Sequence, residues 1–307
     1  MTYDSSGGAA PGNERRELAR EKSKSLRAQH KKKERRNRLF LQGGILVLLI
    51  AIIAIVTLSI INTIRPAGPG PLNMASDGIQ IGADFVATPT AGIAPGYEPT
   101  PNVRDEGSDV IAIQVYLDYL SVVSGEFQLN NNDQIETWLT TGAATIEYHP
   151  IALLNSHSQG SQYSTRAANA AGCVANFSSA NFYDYNVALF TDQPEESSTG
   201  LTNEELFDRA KAVGVANASD IQSCINETTF KSWVKDATDR ALTQPIPNSD
   251  VEAVTATPTI IVNGQKYPGD PSDDAAFAAF FLTVVGQQFN ETESATPTPT
   301  PTPTPAN

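Results

Sequence analysis

Few residues in this 307-residue chain could do chemistry. Cys173 and Cys224 are its two cysteines, and they belong to no Cys-x-x-Cys pair. Two cysteines cannot build a disulfide-rich scaffold or a multi-cysteine zinc site. The three histidines, His30, His149 and His157, share no metal-ligand spacing. Asp270, Asp273 and Asp274 lie close together but lack the spacing and closing glutamate of an EF-hand calcium loop. Asp273 instead suits the cap of a following helix. Serine-based hydrolysis, at Ser121 for example, needs a positioned base and an oxyanion hole. His149 sits beside Pro150 in a strand-like run, His157 sits in a polar stretch, and neither lies in a nucleophile-elbow context. The residues therefore imply no metal, no cofactor and no hydrolase.

The elements around these residues divide by charge. The formal net charge is −13. Residues 1–38 carry 12 Lys/Arg against 5 Asp/Glu, a local +7, and the remaining 269 carry 9 against 29, a local −20. Between the two halves runs LFLQGGILVLLIAIIAIVTLSIINTI, residues 39–64, without a charge. Its core from Gly43 to Ile64 would span roughly 33 Å as a helix, matching a hydrocarbon layer of about 30 Å. The basic residues precede this segment, so the positive-inside bias predicts a cytoplasmic N-terminus and a single uncleaved span. Everything after Ile64 is then expected outside the cytoplasm at the cell membrane. Juxtamembrane Lys/Arg clusters rest on anionic headgroups. With no aromatic residues interleaved among them, they do not indicate nucleic-acid binding.

Residues 65–107 are rich in Pro, Gly and Ala and read as a linker, with Ile79 to Val86 as a candidate edge strand. Residues 291–307 end in strict Thr-Pro alternation, expected to be an extended, solvated tail. One domain remains, at 108–290. Val110–Leu120 reads as a strand, and Ile135, Trp138 and Leu139 mark a helix that Gly142 can end. Ala144–Leu154 reads as a second strand. Helical patterns follow over 163–177, 182–190, 202–213 with a Thr202/Glu205 capping box, 218–225 and 227–242. Thr259–Val262, Asn263-Gly264 and Gln265–Tyr267 predict a hairpin, and 273–289 a last helix. Strand, helix, strand, helical insertion at about 160–243, hairpin and helix is an α/β, thioredoxin-like order.

Four passages make a family resemblance specific. Tyr116-Leu117-Asp118-Tyr119-Leu120 leads into Ser121-Val122-Val123-Ser124-Gly125-Glu126-Phe127. Ile146 to Ile151 forms the second strand, and Tyr163 to Cys173 opens the insertion. Ala256-Thr257-Pro258-Thr259 precedes Ile260-Ile261-Val262-Asn263-Gly264. Together they resemble the DsbA-like branch of the thioredoxin superfamily, in particular its membrane-anchored actinobacterial members. That family carries Cys-Pro-x-Cys-Gly-x-Phe where this chain has Ser121 to Phe127, so the resemblance implies that Ser121 and Ser124 replace both active-site cysteines. Thiol–disulfide exchange requires a thiolate that attacks and leaves, which serine cannot supply.

The resemblance further implies a cis bond before Pro258 and a peptide-binding surface formed by Thr257, Pro258, Thr259, Ser121, Val122 and Val123. Outside the cytoplasm, Cys173 and Cys224 most simply form a structural disulfide, with a relocated redox pair or two buried thiols as the alternatives. Sequons at Asn176, Asn217, Asn226 and Asn290 would matter only in a cell with glycosylation machinery. The expected function is a tethered, redox-inactive module binding an extracytoplasmic protein or peptide. The alternative is an oxidoreductase working through Cys173 and Cys224 or a partner's thiols.

Overall fold

A computed structural model describes residues 68–103 and 108–295, together with Lys22 and Lys24. The basic segment 1–38 apart from those two lysines, the apolar span 39–64 and the Thr-Pro alternation from residue 296 lie outside the described residues. Among the described residues, no helix is long and apolar enough to cross a membrane.

Five strands form one mixed sheet in the order β1-β3-β2-β4-β5. They are β1 Ile79–Ile81, β2 Ile111–Leu117, β3 Ala144–Pro150, β4 Thr259–Val262 and β5 Gln265–Lys266. β2 and β3 run parallel, with Ile113 opposite Ile146 and Tyr116 opposite His149. β4 pairs antiparallel with β2, and β1 antiparallel with β3. In β2 the side chains of Ile111, Ile113, Val115 and Leu117 all enter the main core, as the period of two requires. Tyr116 on the opposite face joins a smaller core with Ile246, Val254 and Ile261.

Helix α1, Val122–Thr140, connects the two parallel strands. Its buried positions include Phe127, Gln128, Asn131, Ile135 and Leu139. The apolar period is legible only in its second half, because Gln128 and Asn131 face inward as polar residues, so the helix starts well before Ile135. Both are satisfied there: Asn186 donates to Gln128 Oε1 at 3.1 Å, and Asn131 donates to Phe127 O at 2.8 Å. Gly142, at φ +69°, ends the helix by donating to Leu139 O at 3.0 Å.

The insertion consists of α2 Tyr163–Phe177, α3 Phe182–Phe190, α4 Asn203–Ala212, α5 Ala218–Glu227 and α6 Lys231–Thr243. Thr202 and Glu205 form the expected capping box. The pattern over 227–242 is broken at Thr228, which turns left-handed at φ 47°, so α6 begins only at Lys231. The disulfide joins Cys173 of α2 to Cys224 of α5, with Cα atoms 5.9 Å apart. Helix α7, Asp274–Ala295, closes the fold by stacking Phe281 on Trp138 of α1 at 3.8 Å between ring centroids. Asp273 caps α7 by accepting from the amide of Ala276 at 2.8 Å.

Further sequence expectations are altered. The second strand stops at Pro150 rather than Leu154, because the amide of Leu154 turns to donate to Asp118 Oδ2 at 2.7 Å. The segment expected as a linker is packed against the domain over 68–103. Met74, Asp77 and Ile79 in it are buried. Asp77 accepts from Arg240 Nε at 2.7 Å, Arg240 Nη2 at 2.8 Å and Trp233 Nε1 at 3.1 Å. A Cβ on Gly92 would lie 2.2 Å from Gly70 O, so its composition reflects close chain approach as well as turn chemistry.

Candidate functional site

The site begins where β2 ends. Asp118 has no exposure, and its Oδ1 and Oδ2 accept from the amides of Leu120 at 2.8 Å and Leu154 at 2.7 Å. Burial pushes this carboxyl up to about 6, against the opposing amides of Leu154 and Leu120 and the Ser164 hydroxyl, with Glu196 adding a smaller upward push. One turn further on, Ser121 caps α1. Its Oγ accepts from the Ser124 amide at 3.3 Å and donates to the carbonyl of Thr257 at 2.9 Å. The bond between Thr257 and Pro258 is cis. The structure thus brings the Ser121 turn and the Pro258 loop together, although Ser121 and Thr257 lie 136 positions apart.

The six expected surface residues differ in exposure. Val122 and Val123 are exposed, at 43% and 40%, and Pro258 is half-buried. Ser121, Thr257 and Thr259 are buried, so backbone rather than side chain is what they could offer a peptide. Thr259 Oγ1 also donates to Ala256 O at 2.8 Å, inside the loop. Ser124 is 1% exposed, and its hydroxyl has no hydrogen-bond partner.

The loop between α3 and α4 frames the other side. Gln193 donates to the carbonyls of Tyr119 at 2.9 Å and Ser121 at 3.0 Å. Glu196 accepts from the Val122 amide at 3.3 Å, setting a negative group at the positive end of α1. Neither residue has a signature in the sequence, because each reaches the site from more than 70 positions away. Asp118 does leave a signal, as a lone acid inside the apolar run Val115 to Leu120.

A nucleophilic Ser121 finds no base here, since its proton is directed at a carbonyl. His149 is committed elsewhere. Its ring stacks on Tyr116 at 4.2 Å, and Nε2 lies 3.3 Å from Glu147 Oε1 without hydrogen-bond alignment. Burial pushes the Glu147 carboxyl up, but His149, Ser76 and Asn102 outweigh it and hold the group below its ordinary range. That group fastens the 68–103 segment to β3, with Asn102 donating at 2.9 Å and Ser76 donating to the same oxygen. His157 lies on a short turn at 155–157, exposed. No cluster of three or more metal-ligating side chains occurs among the described residues. Both cysteines of the chain are spent in the Cys173–Cys224 disulfide and are buried.

Comparison with known proteins accords with this geometry. No curated protein matches the sequence. Among solved structures, the reduced disulfide bond oxidoreductase DsbG of Mycobacterium tuberculosis is similar, with 26% identity and a TM-score of 0.50, covering 76% of this chain and 97% of that one. Reduced DsbA from the same organism shares 25% identity at a TM-score of 0.49, over 71% and 98% of the two chains. Oxidised BdbD of Bacillus subtilis is 19% identical at a TM-score of 0.50, over 72% and 100%. The family model described as thioredoxin matches residues 125–280, a span that contains most of α1, the helical insertion, the cis-Pro258 loop and the start of α7; the chain belongs to that family.

Proposed function

We propose that this chain is a DsbA-like member in which Ser121 and Ser124 stand at the positions of the family's active-site cysteines. It does no thiol exchange there and works as a binding module for an extended protein or peptide segment. It is held at the outer face of the cell membrane by the 39–64 span. The observation that carries the reading is the Ser121 hydroxyl, which caps α1 and donates to Thr257 O beside cis-Pro258. A reactive thiol would have to be free for attack, whereas this hydroxyl is tied into the loop. Exchange chemistry also needs a thiolate. The chain's only two sulfhydryl sources are buried in one disulfide, at 0% and 5% exposure. Exposed Val122 and Val123 beside the loop supply apolar area for a ligand whose main chain pairs with the loop backbone.

Three measurements test the proposal. The full-length chain is expected to give background rates in insulin reduction and in dithiol-peptide oxidation. Turnover that disappears in Cys173→Ala would establish the oxidoreductase alternative instead. A photocrosslinking residue at Val123, used in native membranes, is expected to trap an extracytoplasmic partner, and the same residue at exposed Lys235 is not. Equal trapping at both positions would remove the binding reading. Ser121→Cys with Ser124→Cys is expected to gain some redox turnover, because the fold around the turn is retained.

A further inference from the structure

The binding reading above leaves the ligand's chemistry open, and the electrostatics around the Ser121 turn narrow it. From residue 105 to residue 208 the chain contains 15 Asp/Glu and a single Lys/Arg, Arg166, and the next cation, Arg209, is engaged by the carbonyls of Ala188, Thr191 and Asp192. Arg166 is engaged, donating to Leu201 O at 2.6 Å, Ser161 O at 2.9 Å and Asn203 Oδ1 at 3.1 Å. The outward face of α1 presents Val122, Val123, Glu126 and Leu129, spaced as one helical face, with Leu129 45% exposed. The neighbouring loop adds exposed Asp192, Glu195 and Glu196.

That loop is fastened at both ends. Gln193 holds its start on the turn, Arg209 donates to Asp192 O at 3.0 Å, and Ser161 donates to Thr199 O at 2.6 Å. The Glu196 side chain, by contrast, is held by one long contact of 3.3 Å to an exposed amide. It can exchange that contact for a ligand cation at little cost. Nor does the helix end lack partners that an anionic ligand would supply. The first-turn amides of Val122, Ser124 and Gly125 all donate within the chain.

We propose that the face formed by Val122, Val123, Glu126 and Leu129 of α1 and by Glu196 docks a cationic segment of another protein. The segment carries apolar residues set against the valines and Lys or Arg side chains taken up by Glu126 and Glu196. The proposal rests on the binding function inferred above and adds the charge of the partner. Exposed ion pairs of this kind set selectivity and encounter rate more than total affinity.

The test uses the full-length chain in phosphatidylcholine nanodiscs, whose neutral lipid does not attract basic peptides. Three fluorescent peptides share one apolar core and carry two flanking Lys, two Gln or two Glu. The Lys peptide is expected to bind about fivefold or more tighter than the Gln peptide, from two exposed ion pairs. That advantage is expected to shrink as salt rises to about 0.5 M. Glu196→Gln and Glu126→Gln should each narrow the Lys-to-Gln ratio, whereas Asp239→Asn on the far α6 surface should not. Equal binding of the three peptides, or tighter binding of the Glu peptide, would overturn the cationic assignment while leaving the binding module standing. Failure of all three to bind, together with no trapping at Val123, would bring down both.

Discussion

Asp118 is a buried carboxyl at the foot of the site, held by two backbone amides. It has no exposure, and its carboxyl is raised from the usual 3.8 to about 6, chiefly by burial. A raised carboxyl means that the fold favours the protonated form. Its contribution to stability is therefore full below about pH 4 and is lost as pH rises through 6. At 1.36 kcal/mol for each pH unit, the rise corresponds to about 3 kcal/mol. The perturbation is Asp118→Asn, which cannot titrate. Its amide changes the hydrogen bonds to Leu120 and Leu154, but that change is a constant offset across pH. Urea unfolding of both proteins from pH 3.5 to 7.5 then isolates the carboxyl. The wild-type advantage over the variant should fall by about 3 kcal/mol between pH 4 and pH 7. Other carboxyls, Glu147 among them, titrate in both proteins and cancel. A difference that stays flat within about 0.5 kcal/mol, or that grows with pH, would refute the assignment of Asp118 as a buried, proton-favouring acid.

Three further outcomes follow from the packing. Asp77→Ala leaves Arg240 and the Trp233 N–H without their shared acceptor, and should cost about 3 kcal/mol and expose residues 68–103 to limited proteolysis. Gly78→Ala places a Cβ 2.6 Å from the His149 ring and should cost about 2 kcal/mol by thermal melt, with the Tyr116–His149 stack disturbed in the near-ultraviolet spectrum. The denatured, unreduced chain should show no titratable thiol, and reduction should lower stability by about 4 kcal/mol for a cross-link across 51 positions, read from the shift in urea midpoint.

The sequence by itself determined the elements whose side chains carry a period or a punctuation mark. The helices at 163–177 and 182–190 begin and end where their patterns do, and the Asn263-Gly264 turn joins β4 to β5. Local chemistry suffices there, because a turn or a cap is made by residues a few positions apart. The α1 start escaped the apolar pattern because its inward positions Gln128 and Asn131 are polar and become acceptable only when the fold supplies their partners. The same holds for residues 68–103, whose Pro/Gly composition suggests a tether until Glu147 and Arg240 are seen to grip Ser76, Asn102 and Asp77.

At the site, the sequence shows Ser121 and Ser124 after the strand and the proline loop far downstream. Only the tertiary structure decides that Ser121 donates to Thr257, that Gln193 and Glu196 close one side, and that Asp118 is buried beneath, accepting from two amides. These are contacts between segments dozens of residues apart. No spacing rule reaches across that distance, because the burial and hydrogen bonds that give those groups their properties exist only once the chain has folded.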